Sequence, residues 1–184
     1  MFEQLTAIIK KDPKNWEHFQ NAFTEIEIPA REVVLNDGEI PSKIFFIKKG
    51  CLRQWFNKEG KDITFQFFFE GQGVASLDSF VNNTPSIFSI ESIEASVLYT
   101  INKKDFDEIL AILPELQDLF QKLIFRRFGN YTQLFLSRIK DSPQERYNDL
   151  LENYPEIITR VPQHYIASYL GITSVSLSRI RNRR

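Results

Sequence analysis

The sequence predicts an α+β chain with a β-rich front half, a long helix, and a C-terminal pair of helices joined by a tight turn. Three observations predict it. Between Thr24 and Ile101, short alternating apolar runs are separated by turn residues, the rhythm of half-buried strands in a sandwich or barrel. From Asn102 onward the apolar spacing becomes helical. Near the end, Gly171 sits between two short segments with apolar helical faces. With 184 residues and 42 % apolar content, the chain can bury a full core as one large domain or two small ones.

Two short helices open the chain. Phe2, Leu5 and Ile8 or Ile9 recur at turn spacing, and Asp12-Pro13 starts a second helix with Trp16, Phe19 and Phe23 behind it. The strands that follow are punctuated by Asn36-Asp37-Gly38, Lys49-Gly50, Asn57 through Gly60, Gly71 through Gly73, and Asn82 to Pro85. Within them Phe65 and Phe67 alternate with Thr64 and Gln66. The last run places Ile93, Ala95, Val97, Tyr99 and Ile101 on one face, which is expected to face the core. The high phenylalanine count, 17 against one Met and two Trp, fits such strands.

Asn102 reads as an N-cap for Phe106, Ile109, Leu110 and Leu113, and Pro114 interrupts that run. A single helical pattern then extends to about Lys140. It carries Leu116, Phe120, Leu123, Ile124, Phe128, Tyr131, Phe135 and Ile139, with Phe125 and Leu136 beside the stripe. So wide an apolar face suits a helix that packs on its own sandwich and on the same helix of a second copy, and the other reading is a core helix of a larger monomeric bundle. Ser142-Pro143-Gln144-Glu145 reads as a capping box that opens a new domain, with Tyr147, Leu150, Leu151 and Tyr154 as its first apolar face and Pro155 closing the helix. The expected domains are 1–113, 114–140 and 141–184.

The segment from Pro162 to Asn182 has the organisation of a helix-turn-helix. Pro162 starts one helix, Ile166 and Leu170 supply its inner face, Ala167 is small at the crossing, and Gly171 turns the chain. Thr173 caps the second helix, Ile172 precedes the cap, and Leu177 and Ile180 point back at the first. An αα-corner without a ligand would need the same apolar positions. It would not need the outward face, where Ser174, Val175, Ser178 and Arg179 are flanked by Arg181, Arg183 and Arg184. Arginine can donate two hydrogen bonds to a guanine edge, serine reaches phosphate or base edges, and valine meets a thymine methyl.

Charge supports that reading. The net charge is −1, so the chain is no uniformly basic nucleic-acid binder, yet from Arg160 to Arg184 there are five Arg and no acid. One cysteine, Cys51, excludes an internal disulfide and a four-thiolate cluster, and two isolated histidines give no metal cage or haem case. Cys51 reads as a small buried residue rather than a redox sensor, and Phe67-Phe68-Phe69 as core. Without a signal segment or a run of eighteen apolar residues, a cytoplasmic protein without a membrane span is expected. No cofactor is implied.

The layout resembles the Crp/Fnr family, on Gly38 and Gly50 in the early turns, Glu70-Gly71, and above all the residues from Ile166 to Thr173 and from Leu177 to Ile180. The resemblance spans essentially the whole chain and implies a cyclic-nucleotide-binding-type jelly roll, a long dimerisation helix (Phe120, Leu123, Ile124, Phe128, Tyr131, Phe135) and a DNA-reading helix-turn-helix. It implies a transcription regulator working as a homodimer on double-stranded DNA, with RNA polymerase as a further partner. Arg179 falls on the family's recognition-helix arginine, and Thr173, Ser174, Val175, Ser178, Arg181 and Arg183 complete the expected DNA set. Ser174 and Val175 replace the family's base-reading arginine and glutamate, so a different target sequence is expected.

The family's effector pocket falls on Gly71, Val74, Ala75, Ser76, Leu77, Ser86 and Ile87. Nucleotide-binding members hold the cyclic phosphate with a Gly-Glu pair and an Arg-Ser pair, which here read Ala75-Ser76 and Ser86-Ile87. A buried phosphate would lack its counter-charge, so cyclic AMP is not expected to bind, and the effector is another small molecule, a protein, or none. With four residues following Ile180, a helix-turn-helix without the β-hairpin wing of many members is expected. An enzyme of a related fold, such as a cupin, would need clustered ligands inside the barrel, whereas His18 and His164 lie outside it. The remaining alternative is a ligand- or partner-binding sensor module with a degenerate DNA reader.

Overall fold

The structure is a computed structural model and describes residues 1–182. It contains α1 (Phe2–Ile9), α2 (Pro13–Phe19), β1 (Phe23–Ile28), β2 (Val33–Leu35), β3 (Lys43–Lys49), β4 (Leu52–Lys58), β5 (Lys61–Phe68), β6 (Gly73–Val74), α3 (Leu77–Asn82), β7 (Ser89–Ser92), β8 (Ser96–Asn102), α4 (Lys103–Ile112), α5 (Pro114–Lys140), α6 (Pro143–Asn153), α7 (Pro155–Arg160), α8 (Gln163–Leu170) and α9 (Ser174–Asn182). The strands form two four-stranded sheets, ordered β1-β8-β3-β6 and β2-β7-β4-β5. Strand β8 pairs antiparallel with both β1 and β3, so the last strand in sequence is central in its sheet. This is the expected α+β architecture.

The chain divides into two compact units: residues 1–54 with 68–122, and residues 55–67 with 123–184. In the first, Leu35, Phe45, Ile47, Leu52, Phe68, Val74, Ile90 and Leu98 fill one cluster. A second cluster, with Leu5, Ile9, Phe19, Ile44, Phe46, Phe80, Ile101, Phe106 and Ile109, is supplied jointly by helices and strands. Asp12 caps α2 by accepting from the Lys14 N–H, and Asn102 caps α4 by accepting from the Asp105 N–H, both at 2.9 Å.

Strand β8 departs from expectation. Its Leu98 joins the inter-strand cluster, while Tyr99 and Ile101 belong to the cluster shared with the helices, where Phe2 stacks on Tyr99 at 4.0 Å. The face expected to look into the sandwich is therefore covered by the N-terminal helices, Ala95 is exposed, and Leu98 holds the inward position. In β5, likewise, Thr64 and Phe68 are fully buried and Phe65 is only half-buried. Two further helices have no counterpart in the sequence reading: α3, six residues long, and α7, whose Pro155 both ends α6 and opens α7.

In the second unit, α6 opens on the expected capping box. The Glu145 carboxylate accepts from the Ser142 N–H at 2.7 Å and the Ser142 hydroxyl from the Glu145 N–H at 3.3 Å. These hydrogen bonds hold the Glu145 carboxyl below its ordinary range. Helices α6, α7 and α8 pack together and α8 packs on α9. Tyr147, Leu150, Ile157, Val161, Ile166, Ala167, Leu170 and Leu177 are buried among them, whereas Tyr154 is exposed.

Candidate nucleic-acid interface and sensor pocket

Helix α8 ends in a Schellman closure. Gly171, at φ +69°, donates its N–H to Ser168 O at 2.9 Å, and the Ile172 N–H reaches Ala167 O at 3.0 Å. The positive φ is what glycine supplies here, since a Cβ would meet open space apart from the Arg138 guanidinium at 3.9 Å. Thr173 then caps α9, its hydroxyl accepting from the Ser176 N–H at 3.1 Å. The inner residue Leu177 is fully buried and Ile180 half-buried.

The other side of α9 is left to solvent. Ser174, Val175 (61 % exposed), Ser178, Arg179 and Arg181 are all exposed, together with Thr173 before them. Arg183 lies outside the described residues. Among the described residues neither Arg179 nor Arg181 is paired with a carboxylate. The helix thus offers hydroxyls, one apolar side chain and two guanidiniums along a single convex face, a donor set that matches base edges and phosphates.

The end of α8 is held by groups that sequence reasoning did not single out. Arg138 donates to Tyr169 O at 2.6 Å, and its guanidinium carbon lies 5.8 Å from the Tyr169 ring centroid. Arg146 donates to Asp141 O at 2.6 Å and to Leu170 O at 2.9 Å. Two arginines on the last carbonyls of a helix also suit its dipole. The Tyr169 ring packs on Phe67 at 5.2 Å. Burial pushes the Tyr169 phenol up to about 12, against the lowering pull of Arg138. Unfolded tyrosine ionises near about 10, so below that pH both states keep the proton and stability is undiminished. Between about 10 and about 12 the unfolded chain ionises first and stability falls. Burial raises the Tyr131 phenol as well, so an ultraviolet titration is expected to show a late phenol phase that Tyr169→Phe reduces. A late phase of undiminished amplitude in Tyr169→Phe would refute this placement.

Helix α5 carries a row of exposed apolar side chains: Ile124, Phe125 (66 %), Phe128 (69 %), Tyr131, Phe135 (64 %), Leu136 and Ile139. Phe120, by contrast, packs edge-on against Phe106 at 5.0 Å within the first unit, and Leu123 is half-buried. The exposed row therefore starts at Ile124, and it includes Ile139 of the expected stripe and Phe125 and Leu136 beside it.

In the first unit, the residues expected to form an effector pocket come together only in part. Val74 is in the inter-strand cluster and Ala75 in the helix-side cluster. Ser76 and Ser86 are buried with their hydroxyls 2.9 Å apart. Leu77 begins α3 and is half-buried, and Ile87 is 79 % exposed. Gly71 forms a turn at φ +76°, its N–H donating to Ile47 O at 2.9 Å and its carbonyl accepting from the Met1 ammonium at 2.7 Å. Gln54, invisible as a site residue in the sequence, donates to Ala75 O at 3.2 Å from a fully buried position. A separate cleft of about 540 Å³ is lined by Ile26, Ile28, Val33, Leu35, Ile40 and Phe45 with Glu32, Glu39 and Lys43 among its polar neighbours. No group of histidines, cysteines and carboxylates suited to a metal ion occurs among the described residues.

No curated protein matches the chain in sequence. Residues 25–112 match the cyclic nucleotide-binding domain family. Among solved structures, FixK2 from Bradyrhizobium japonicum is similar at a TM-score of 0.76 and 14 % identity, over 88 % of this chain and 83 % of that one. The c-di-GMP-responsive global regulator CLP from Xanthomonas campestris gives 0.73 and 14 % identity, over 94 % and 91 %. A cyclic nucleotide-binding domain containing protein from Listeria monocytogenes gives 0.71 and 20 % identity, over 99 % and 89 %. Identities this low make these likenesses of fold. No described helix is long and apolar enough to cross a membrane. Residues 25–112, just under half of the chain, therefore resemble a cyclic nucleotide-binding domain, and the chain shares the fold of the regulators FixK2 and CLP.

Proposed function

We propose that the chain is a DNA-binding transcription regulator that works as a homodimer, with residues 1–113 as sensor, 114–140 as dimerisation helix and 141–184 as reader. The observation that carries this reading is the division of labour on α9. Its inner face is consumed by the core, and its outer face exposes Ser174, Val175, Ser178, Arg179 and Arg181 for no internal purpose. The exposed seam on α5 supplies the second half of the argument. Phe125, Phe128, Thr132, Phe135 and Ile139 alternate at steps of three and four residues, the spacing that interlocks two helices. A two-fold dimer would present two α9 helices to successive major grooves, about 34 Å apart. RNA polymerase is the further partner of this reading. The protein would work in the cytoplasm and catalyse no reaction.

The effector is proposed to be uncharged at the Ala75, Ser76 and Ser86 site. The hydroxyls of Ser76 and Ser86 engage one another, and Gln54 reaches Ala75 O beside them, so the polar groups gathered there are neutral. A cyclic phosphate would be buried against them without a cation, which costs several kcal/mol.

Selection of bound sequences from a random duplex pool tests the reading. A palindromic site with half-sites one helical turn apart is expected, with binding that weakens steeply as salt rises. In Arg179→Ala, each half-site loses about 1–3 kcal/mol, so specific binding by the dimer should fall by roughly thirtyfold or more. An unenriched pool would instead make the chain a sensor module with a degenerate reader. Unchanged affinity in the variant would remove Arg179 from the contact set.

A further inference from the structure

We infer that Ser168 is a positioning residue that, with Arg138 and Arg146, fixes the angle of the α8–α9 pair and thereby the spacing between the two DNA half-sites. The inference rests on the DNA-reading role proposed for α9. Its observations are independent of that role. Strand β5 is the last strand of its sheet, so one side of its backbone has no neighbouring strand. Ser168 occupies that side. Its hydroxyl accepts the Thr64 N–H at 2.9 Å and donates to Asp62 O at 2.9 Å, so a single side chain closes two edge positions. Neither capacity of the hydroxyl goes to its own helix, where serine often bonds back to an upstream carbonyl.

One residue further on, Tyr169 sits between the strand and α5. Its ring packs on Phe67 of β5, and its carbonyl and ring both meet Arg138 of α5. Arg146 of α6 holds the next carbonyl, that of Leu170. Three consecutive residues of α8 are thus bound by three different elements: β5, α5 and α6. They immediately precede Gly171, the turn from which α9 departs. A hydrogen-bonded anchor on each of three sides removes the rotation about the α8 axis that packing of apolar side chains alone would leave open. In a dimer joined along α5, that rotation would swing the two α9 helices toward or away from each other, altering the distance between half-sites without altering which bases each helix reads.

Two measurements on the full chain decide the matter. The first is amide hydrogen exchange in the absence of DNA. Ser168→Ala removes the acceptor for the Thr64 N–H, and that amide should exchange about tenfold faster while Phe45 and Leu98 in the first unit keep their rates. Ser168→Thr retains the hydroxyl and should restore protection. The second is selection from duplexes whose two half-sites are separated by a randomised number of base pairs. The parent should enrich one spacing, whereas Ser168→Ala and Arg138→Gln should enrich the same half-site sequence at several spacings, with Ser168→Thr resembling the parent. Arg138→Gln leaves the serine intact, so it carries the spacing test should Ser168→Ala fail to fold. Unchanged Thr64 exchange in Ser168→Ala overturns the anchor. Faster exchange with an unchanged single spacing overturns the positioning role. If the parent enriches no sequence at all, the DNA-reading role falls and the spacing role with it, while the Thr64 rates still judge the contact.

Discussion

Phe128→Asp in α5 is expected to convert the dimer proposed above to a folded monomer. Phe128 is 69 % exposed, on a helix of 27 residues whose outward seam also carries Phe125, Phe135 and Ile139. Burying a phenylalanine contributes about 1.5–3 kcal/mol, and two-fold symmetry places the side chain in the interface twice. The substitution removes about 3–6 kcal/mol of burial and sets two carboxylates face to face in the seam. The dimer dissociation constant should therefore rise by at least about a hundredfold. Sedimentation equilibrium reads this directly. The far-ultraviolet spectrum should keep its strand signal and lose part of its helical one, because a single helix exposed along half its length frays. Phe120→Asp is the informative contrast: Phe120 packs on Phe106 at 5.0 Å inside the first unit, so that change should unfold the chain rather than split a dimer. A Phe128→Asp protein that stays dimeric at micromolar concentration would place the interface elsewhere.

The contrast between Phe120 and Phe128 shows where the sequence was legible and where it was not. Helical spacing located α5 from Pro114 to about Lys140 because its period persists over many turns and proline marks its start. The same spacing could not divide the stripe between an inward end and an outward one, since both are apolar. Strand β8 posed the same difficulty in another form. It is covered on both sides, by Phe2 over Tyr99 on one and by the cluster around Leu98 on the other, so alternation does not mark an inward face. The turn at Gly171, the Thr173 cap and the Ser142–Glu145 capping box were readable because their partners lie within six residues of one another along the chain. Helix α7 escaped notice because a proline that ends one helix and a proline that begins another are the same letter.

The parts of the site that escaped notice are contacts between residues far apart in sequence. Ser168 and Thr64 are separated by 104 positions, and Arg138 and Tyr169 by 31. A serine in a helix facing half toward solvent carries no local mark of such a role. Arg53 is the clearest case. In the sequence it is one more cation on an alternating strand; in the fold it is 1 % exposed, bonded through Nε at 2.9 Å and Nη2 at 2.5 Å to the carboxylate of Glu91, 38 positions away.

That pair makes the sharpest stability prediction. Glu91→Ala is expected to destabilise the protein by about 3–5 kcal/mol, because it strips the carboxylate from a guanidinium that stays out of water. Arg53→Met alone should also destabilise the protein, since it leaves the buried Glu91 carboxylate without its guanidinium. Combining Arg53→Met with Glu91→Leu should restore stability to within about 1 kcal/mol of the parent. Dehydrating two charges costs about as much as their attraction returns, so an apolar pair of similar volume is a near-equal replacement. The three urea-unfolding midpoints, with slopes checked for constancy, distinguish a coupled pair from two independent side chains. Additive losses in the double variant would mean that Arg53 and Glu91 stabilise the fold through other neighbours. A loss under about 1 kcal/mol in Glu91→Ala would mean that water reaches the guanidinium once the carboxylate is gone.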